Sequence, residues 1–419
     1  MGENKPYSIF MLGYTGCHNT GSDARILTII DDIRHCFGDG ACITVGSFYP
    51  ENTARVIGER AGVKIERVPF VFPLKIFQLT TSHDITFLVE GSCFKQNWGS
   101  VLLYLFLWSA FCARLARRKC VAYAVDVGEL SRVNGLLTRF ICNRLDLLIT
   151  RTEIARERLL KLGVTTRIHA NTDTAFQFLR EPSPPATPPR PVPEIAPGTV
   201  GLAPVEFHQW PLKTRLFGKK DECYNWPYYF TWDDERREKS KRLIDTYRRL
   251  VTHAIDRHDR NVVLIAMEAL DTVICEQILD GLSEHYLSRI KVVSAKEYMP
   301  DQMAPMLRSL DCLVTSRYHA CVLSMNRPVP QMAICHDERL ESIYTEIGIG
   351  EDFLLNYRDP ELCDKILPTF DRLIENHSTL TGILREKHES FFLPKCRQNR
   401  HDLRSWHHTL TPPESLPDS

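Results

Sequence analysis

Neither charge is in excess in this 419-residue chain: Lys and Arg number 52, Asp and Glu number 52, and the formal net charge is zero. A protein that holds nucleic acid by releasing counterions needs a concentrated basic face, so no nucleic-acid partner is expected. C-x-x-C pairs are absent, although 14 cysteines are scattered from Cys17 to Cys396. Most sit in apolar surroundings, as Cys112, Cys142, Cys312 and Cys321 do, and read as buried reduced thiols of a cytosolic protein rather than as disulfides or zinc ligands. The opening MGENKPYSIFML lacks a basic segment followed by an apolar one, and Pro6 stands where a myristoylation motif needs Ser or Thr. Neither secretion nor acylation is expected. A run of roughly 20 apolar residues, enough to span a bilayer, is also missing. The most apolar stretch, Val101 to Ala113, is shorter and is followed by Arg114, Arg117, Arg118 and Lys119. Two readings stand for it: a helix buried beneath a sheet, or a helix that touches an anionic membrane surface through its basic end. The expected location is cytoplasmic, with peripheral contact at the cytoplasmic face of the membrane as the second reading.

What is present belongs to a globular protein of the α/β class. Hydrophobic residues make up 43% and aromatics 10% of the chain, enough for sizeable cores, and the length suits two domains. YSIFML reads as a strand running into the loop GYTGCHNTGSD and then into a helical pattern of Ala24, Ile26, Leu27, Ile30 and Ile33. Strands follow at Ala41 to Ser47, Ile85 to Val89, VAYAVDVG and LLITRT, with helices between them. The second half repeats the alternation with NVVLIAM, a helix from about Thr272 to Leu287, IKVVS, CLVTS, a helix after His319, and VPQMAI. Between the halves lies EPSPPATPPRPVPEIAPG, which can neither continue a helix nor sit in a central strand. The expected plan is an N-terminal Rossmann-like domain over 1–180, a Pro-rich linker over 181–198 and a C-terminal Rossmann-like domain over 199–395. The end of a polar helix that crosses back to the first domain and a disordered tail make up 396–419. The two domains face a cleft.

Two places carry residues suited to chemistry. Gly13, Gly16 and Gly21 in the first strand-to-helix turn would let backbone N–H groups approach an anion, or they make a plain tight turn capped by Ser22 or Asp23; the spacing is neither G-x-G-x-x-G nor a P-loop with its Lys. In LVTSRYHACVLSMNRPVPQMAICHDERL, Arg317 and His319 fall where an apolar strand ends and a helix begins, the edge that faces the ligand crevice in doubly wound sheets. Arg317 has the planar fork for a phosphate or carboxylate, and His319 can move a proton near neutral pH or make a structural hydrogen bond.

Taken together these motifs resemble the polysaccharide pyruvyl transferase family. GYTGCHNTGSDARIL is similar to its GYxGxxNxGDxAIL loop, with Gly13, Tyr14, Gly16, Asn19, Gly21 and Ala24 retained. VDVGEL, TRTEIARERLLKLGV and ANTDTAFQF resemble later motifs, with Arg151 and Asp173 on the family's Arg and Asp. TSRYHACVLSMNRPVPQMAI resembles its T-x-R-L-H-A signature at Arg317, His319 and Ala320. The chain departs from the pattern where an acidic pair becomes Ser22 and Asp23, where a G-G-G turn becomes Glu90, Gly91 and Ser92, and where a late Lys becomes Arg339.

The resemblance implies a GT-B-like fold and transfer of a pyruvyl group from phosphoenolpyruvate to a sugar of a polysaccharide or glycan precursor, as a ketal. It implies Arg317 and His319 as catalytic residues, with His319 as general acid. The donor's two acidic groups need converging cations, for which Arg339, Lys213 and Arg215 are the candidates besides Arg317. Gly13, Tyr14, Gly16, Asn19 and Gly21 form the facing substrate-binding turn. Trp210 and Trp226, in a tract rich in aromatics, offer apolar faces for an acceptor sugar that is free or lipid-linked. No metal or cofactor is required, and phosphoenolpyruvate is the donor substrate. Two alternatives compete: a GT-B glycosyltransferase that uses a nucleotide sugar, and a non-catalytic sugar-binding relative.

Overall fold

A computed structural model describes residues 6–96, 99–179, 192–336 and 338–410. The first domain is built on a parallel sheet of seven strands, β1 (Ser8–Leu12), β2 (Cys42–Ser47), β3 (Val63–Arg67), β4 (Ile85–Leu88), β5 (Lys119–Val125), β6 (Leu147–Thr150) and β7 (Ile168–Ala170). They run in the order β3-β2-β1-β4-β5-β6-β7. Both faces of the sheet are covered, so alternate residues of one strand enter different apolar clusters. Ile9 and Met11 of β1 join a cluster with the helix Thr20–Phe37, whereas Phe10 and Leu12 join Leu103 and Phe106 of the helix Ser100–Leu115.

The second domain repeats the architecture with six parallel strands and one added flap. Its sheet holds β8 (Val200–Ala203), β12 (Val262–Ala266), β13 (Ile290–Ser294), β14 (Cys312–Thr315), β15 (Gln331–Cys335) and β16 (Leu354–Asn356), in the order β13-β12-β8-β14-β15-β16. Three short antiparallel strands, β9 (Lys213–Thr214), β10 (Cys223–Asn225) and β11 (Tyr228–Tyr229), form the flap. The flap leans on the first domain: Asn225 Nδ2 donates to Tyr49 Oη at 2.8 Å, and the Tyr14 and Tyr224 hydroxyls touch.

The helix placed over Thr272 to Leu287 is broken into Asp271–Leu279 and Glu284–Leu287. The strand β3 and the 25-residue helix Asp234–His258 add to the elements expected from the sequence. Beyond His377 a helical segment crosses back to the first domain, where Arg400 pairs with Asp32 at 2.8 Å and Asn171 Nδ2 donates to Asp402 at 2.9 Å. Residues 181–191 of the expected linker and 411–419 of the expected tail lie outside the described residues. None of the fourteen cysteines forms a disulfide, and nine of them are buried. Among the described residues, no helix is long and apolar enough to cross a membrane. The apolar helix Ser100–Leu115 is half covered: Leu103, Phe106 and Ala113 are buried, while Tyr104, Phe111 and Leu115 are exposed.

Candidate functional site

The first turn joins the two domains. Asn19 caps the helix Thr20–Phe37, its Oδ1 accepting from the Gly21 and Ser22 N–H groups at 3.1 and 3.0 Å. The Thr20 N–H donates to the Met267 carbonyl at 2.9 Å, and the Asp23 N–H to the Asn19 carbonyl at 2.9 Å. The Thr20, Gly21 and Ser22 N–H groups at this helix start are thus engaged within the protein instead of facing an open anion cradle, and the cap is Asn19 rather than the expected Ser22 or Asp23. An antiparallel bridge between Asn19 and Glu268, and a bond from the Ala269 N–H to the His18 carbonyl at 3.1 Å, complete the seam. Gly16 turns the loop at φ +83°, with the Tyr49 carbonyl 2.5 Å from where a Cβ would stand. Gly21 has a different task. The imidazole of His319, from the other domain, lies so close that a Cβ on Gly21 would fall 1.9 Å from its Nδ1.

Above this contact opens an interdomain cavity of about 180 Å³. Tyr14, Asn19, Gly21 and Glu90 line it from the first domain, and Arg317, His319 and Arg339 from the second. Trp210, Tyr224 and Tyr228 of the flap region supply an aromatic wall. The cations around it are tied to carboxylates. Arg317 grips Asp271 through Nε, at 2.8 Å from Oδ2, and through Nη2, while its Nη1 reaches Glu268 at 2.9 Å. Asp173 receives Arg25 and Arg151, each at 2.7 Å, and faces His319 Nε2 at 3.5 Å, longer than a good hydrogen bond. Two guanidiniums lie over the Tyr318 ring, Arg151 at 4.5 Å and Arg339 at 5.8 Å from its centre. Buried Lys95 holds Glu338 of the second domain at 2.8 Å and Asp126 at 3.4 Å.

Burial and these charges set the protonation states. Burial would raise the Asp173 carboxyl, but Arg25, His319 and Arg151 outweigh it and hold it well below the usual carboxylate range. Burial lowers the His319 pKa from its ordinary value, and the attraction of Asp173 does not restore it against Arg151 and Arg25, so the imidazole is neutral at pH 7. Asp271 is raised by burial to about 6 in spite of Arg317. Asp23, buried in the first turn of its helix, is raised by desolvation to about 7.

Of the substrate-binding candidates, Tyr14, Asn19, Gly21, Trp210 and Arg339 line the cavity, as do Arg317 and His319. Gly13 packs against Val89, and Gly16 against the Tyr49 carbonyl, one layer behind it. Lys213, Arg215 and Trp226 do not line it, which corrects their expected convergence. All three belong to the outer part of the flap: Lys213 is exposed, Arg215 faces Glu222 at 3.8 Å, and the Trp226 indole donates outside the cleft to the Leu216 carbonyl. Tyr228, from the same aromatic tract as Trp210 and Trp226, lines the cavity as well, whereas Arg25, Glu268, Asp271 and Tyr224 were not among the expected residues. The acidic pair in MEALD, just past the β12 edge, was a usable signal for Glu268 and Asp271; Arg25 within a helical pattern gave none. Among the described residues, one cluster has the makings of a metal site, Asp371 Oδ1 accepting from His253 and His258 at 2.7 and 2.6 Å, and it does not line the cavity.

A model of the polysaccharide pyruvyl transferase family matches residues 48–333, most of the chain. The chain belongs to this family. No curated protein matches it in sequence. Among solved structures it is similar to HepE of Anabaena, determined in complex with UDP and glucose, at 14% identity and TM-score 0.55, with 95% of this chain and 99% of the other covered. It is also similar to the UDP-GlcNAc 2-epimerase of Neisseria meningitidis bound to UDP-GlcNAc, at 10% identity and TM-score 0.60, covering 95% and 100%. A putative UDP-N-acetylglucosamine 2-epimerase of Listeria monocytogenes is similar at 11% identity and TM-score 0.59, covering 99% and 100%. These likenesses give the fold: two Rossmann-like domains in the GT-B arrangement, as expected from the sequence.

Proposed function

We propose that this family member transfers the pyruvyl group of phosphoenolpyruvate to a sugar of a polysaccharide or glycan precursor, forming a ketal across two hydroxyls and releasing phosphate. The supporting observation is the interdomain cavity, in which His319 and two guanidiniums, Arg317 and Arg339, meet an aromatic wall. The guanidiniums suit the donor's phosphate and carboxylate, and Trp210 and Tyr228 suit the apolar face of a sugar.

The chemistry asks for a proton at the methylene carbon of the donor. His319 gives it, C2 becomes oxocarbenium-like, and one sugar hydroxyl attacks C2 as its proton returns to the imidazole. The second hydroxyl displaces phosphate from C2, and its proton leaves with the phosphate, so that one donor and one diol yield one ketal and one phosphate. Free His319 is neutral, but a phosphate dianion placed beside it favours the imidazolium, so donor binding supplies the acid.

Incubation with phosphoenolpyruvate and a panel of saccharides, with mass detection of the product, tests the reading. His319→Ala is expected to lower turnover about 100-fold or more with the fold retained. Turnover of UDP- or GDP-sugars in place of phosphoenolpyruvate would instead identify a glycosyltransferase, and sugar binding without turnover a non-catalytic relative.

A further inference from the structure

We propose that the helix Arg132–Cys142, with the helices Ser100–Leu115 and Pro73–Ser82, forms a face that docks the protein on an anionic lipid surface. The starting observation is that Arg132–Cys142 is inside out. Val133, Leu136, Leu137 and Phe140, spaced i, i+3, i+4 and i+7 on one stripe, are 67, 65, 44 and 45% exposed. Asn134, Gly135 and Thr138 of the same helix are buried. Single exposed apolar residues are ordinary on any surface, but a full helical stripe turned to solvent while polar residues face the protein is not.

The neighbouring helices extend the face. Ser100–Leu115 packs against both of the others. It presents Tyr104, Phe111 and Leu115, and Pro73–Ser82 presents Leu74 and Phe77, with Leu74 87% exposed.

Charge decides the occupant. The chain as a whole is neutral, yet the sequence has no Asp or Glu from Gly91 to Val125, nor from Leu130 to Leu145. The same stretches hold Arg114, Arg117, Arg132, Arg139 and Arg144. Where the ends of the two apolar helices meet, a surface groove of about 560 Å³ is lined by Phe111, Leu115 and Phe140 together with Arg114, Arg117 and Arg144. Arg118 and Lys119 at its rim already answer Asp84 and Asp146. Apolar side chains with arginines around them match an anionic bilayer, where the rings enter the headgroup boundary and the guanidiniums meet phosphates. A second copy of the chain is the poorer match, because a two-fold contact through this face sets arginine against arginine.

One helix of the face also reaches the cleft. Val101, Leu102 and Leu105, on the helix that bears the groove at its far end, line the interdomain cavity. Docking thus places the cavity within reach of a saccharide carried on a lipid. This consequence rests on the proposed pyruvyl transfer, whereas the docking itself does not, and the experiment uses no substrate so that the two fail separately.

The full chain is sedimented with vesicles of phosphatidylcholine alone and of phosphatidylcholine with phosphatidylglycerol, at low and at high salt. Binding to the anionic vesicles only, weakened by salt, is expected. Leu136→Glu combined with Phe140→Glu alters exposed positions and is expected to cut that binding about tenfold or more at unchanged melting temperature. Arg114→Glu combined with Arg117→Glu is expected to do the same without touching the apolar stripe. Absence of binding to anionic vesicles, or variants that bind as the parent does, would overturn the proposal. So would a parent that is dimeric by light scattering and becomes monomeric in the first variant, since a second copy would then occupy the face.

Discussion

Replacing Gly21 with alanine isolates the contact on which the cleft depends. The added Cβ would lie 1.9 Å from His319 Nδ1, 2.1 Å from its Cγ and 2.7 Å from its Cβ, where an ordinary contact begins at 3.4 Å. The ring must retreat by about 1.5 Å before repulsion is relieved. Gly21 lies in a helix and its φ is not in the left-handed region, so alanine meets no backbone strain and gains up to about 1 kcal/mol of helix propensity. The fold should therefore survive while His319 shifts. Displacement of a reacting group by about 1 Å costs about 100-fold in rate. Phosphate release from phosphoenolpyruvate with a saccharide acceptor is measured for kcat and KM alongside a circular-dichroism melt. A fall in kcat of about 100-fold is expected in a protein that still folds and melts cooperatively, with about 1–3 kcal/mol of stability lost to the overpacked seam, and parental turnover in a folded Gly21→Ala protein would show that the contact does not set the imidazole's position. Gly16→Ala is the contrasting case. Its φ of +83° and the Tyr49 carbonyl 2.5 Å from the new Cβ load the penalty onto the backbone, so melting rather than turnover should suffer first.

Asp173→Asn removes the charge shared by buried Arg25 and Arg151, and a loss of about 3–5 kcal/mol in urea unfolding is expected; an unaffected midpoint would show that the pair is not held by this carboxylate. Asp23 has a folded pKa near 7 against an ordinary 3.8, so the native state binds its proton more tightly than the unfolded chain, and stability falls as pH rises through this window. Asp23→Asn should remove that slope and raise stability at pH 8 by up to about 4 kcal/mol, and a wild-type melting curve flat in pH would contradict it. Asp271→Asn keeps an acceptor for the Glu268 N–H, now met at 3.0 Å, but loosens the grip on Arg317. Calorimetric titration with inorganic phosphate should then show affinity about tenfold higher, and weaker binding would mean that Asp271 positions the guanidinium instead of competing for it.

The doubly wound plan was legible because its determinants are local. Runs such as SIFML, VVLIA and QMAIC are buried on both faces and separated by helical periods, and each became a strand of a parallel sheet. β3, with the sequence VKIER, escaped because it sits at a sheet edge and alternates polar with apolar residues. The helix Asp234–His258 escaped because its polar face is crowded with charge and its apolar stripe is sparse. The inverted helix Arg132–Cys142 has an apolar period as clear as any in the chain. Periodicity finds such a stripe but not the side it faces, which depends on the neighbours that bury Asn134 and Thr138.

The same division runs through the site. Strand-edge placement brought Arg317 and His319 to the cleft, since that edge is fixed by the fold. The state of those groups depends on partners far away in sequence: Asp271 for Arg317, and Asp173 for His319. A sequence motif specifies a cation and a proton carrier, whereas the burial that surrounds them with carboxylates decides whether the cation is free and the carrier charged. Around this cavity Arg317 is engaged and His319 neutral. Under the proposed reaction, a dianion would strengthen its own site on both counts, drawing Arg317 from a carboxylate whose pKa is already about 6 and favouring a proton on His319. The departures from the family pattern fit this arrangement. Glu90, where the family has glycine, accepts from the Tyr14 N–H at 3.0 Å and from Ser22 Oγ at 3.3 Å, so two of the altered positions stabilise one another across the turn that receives His319.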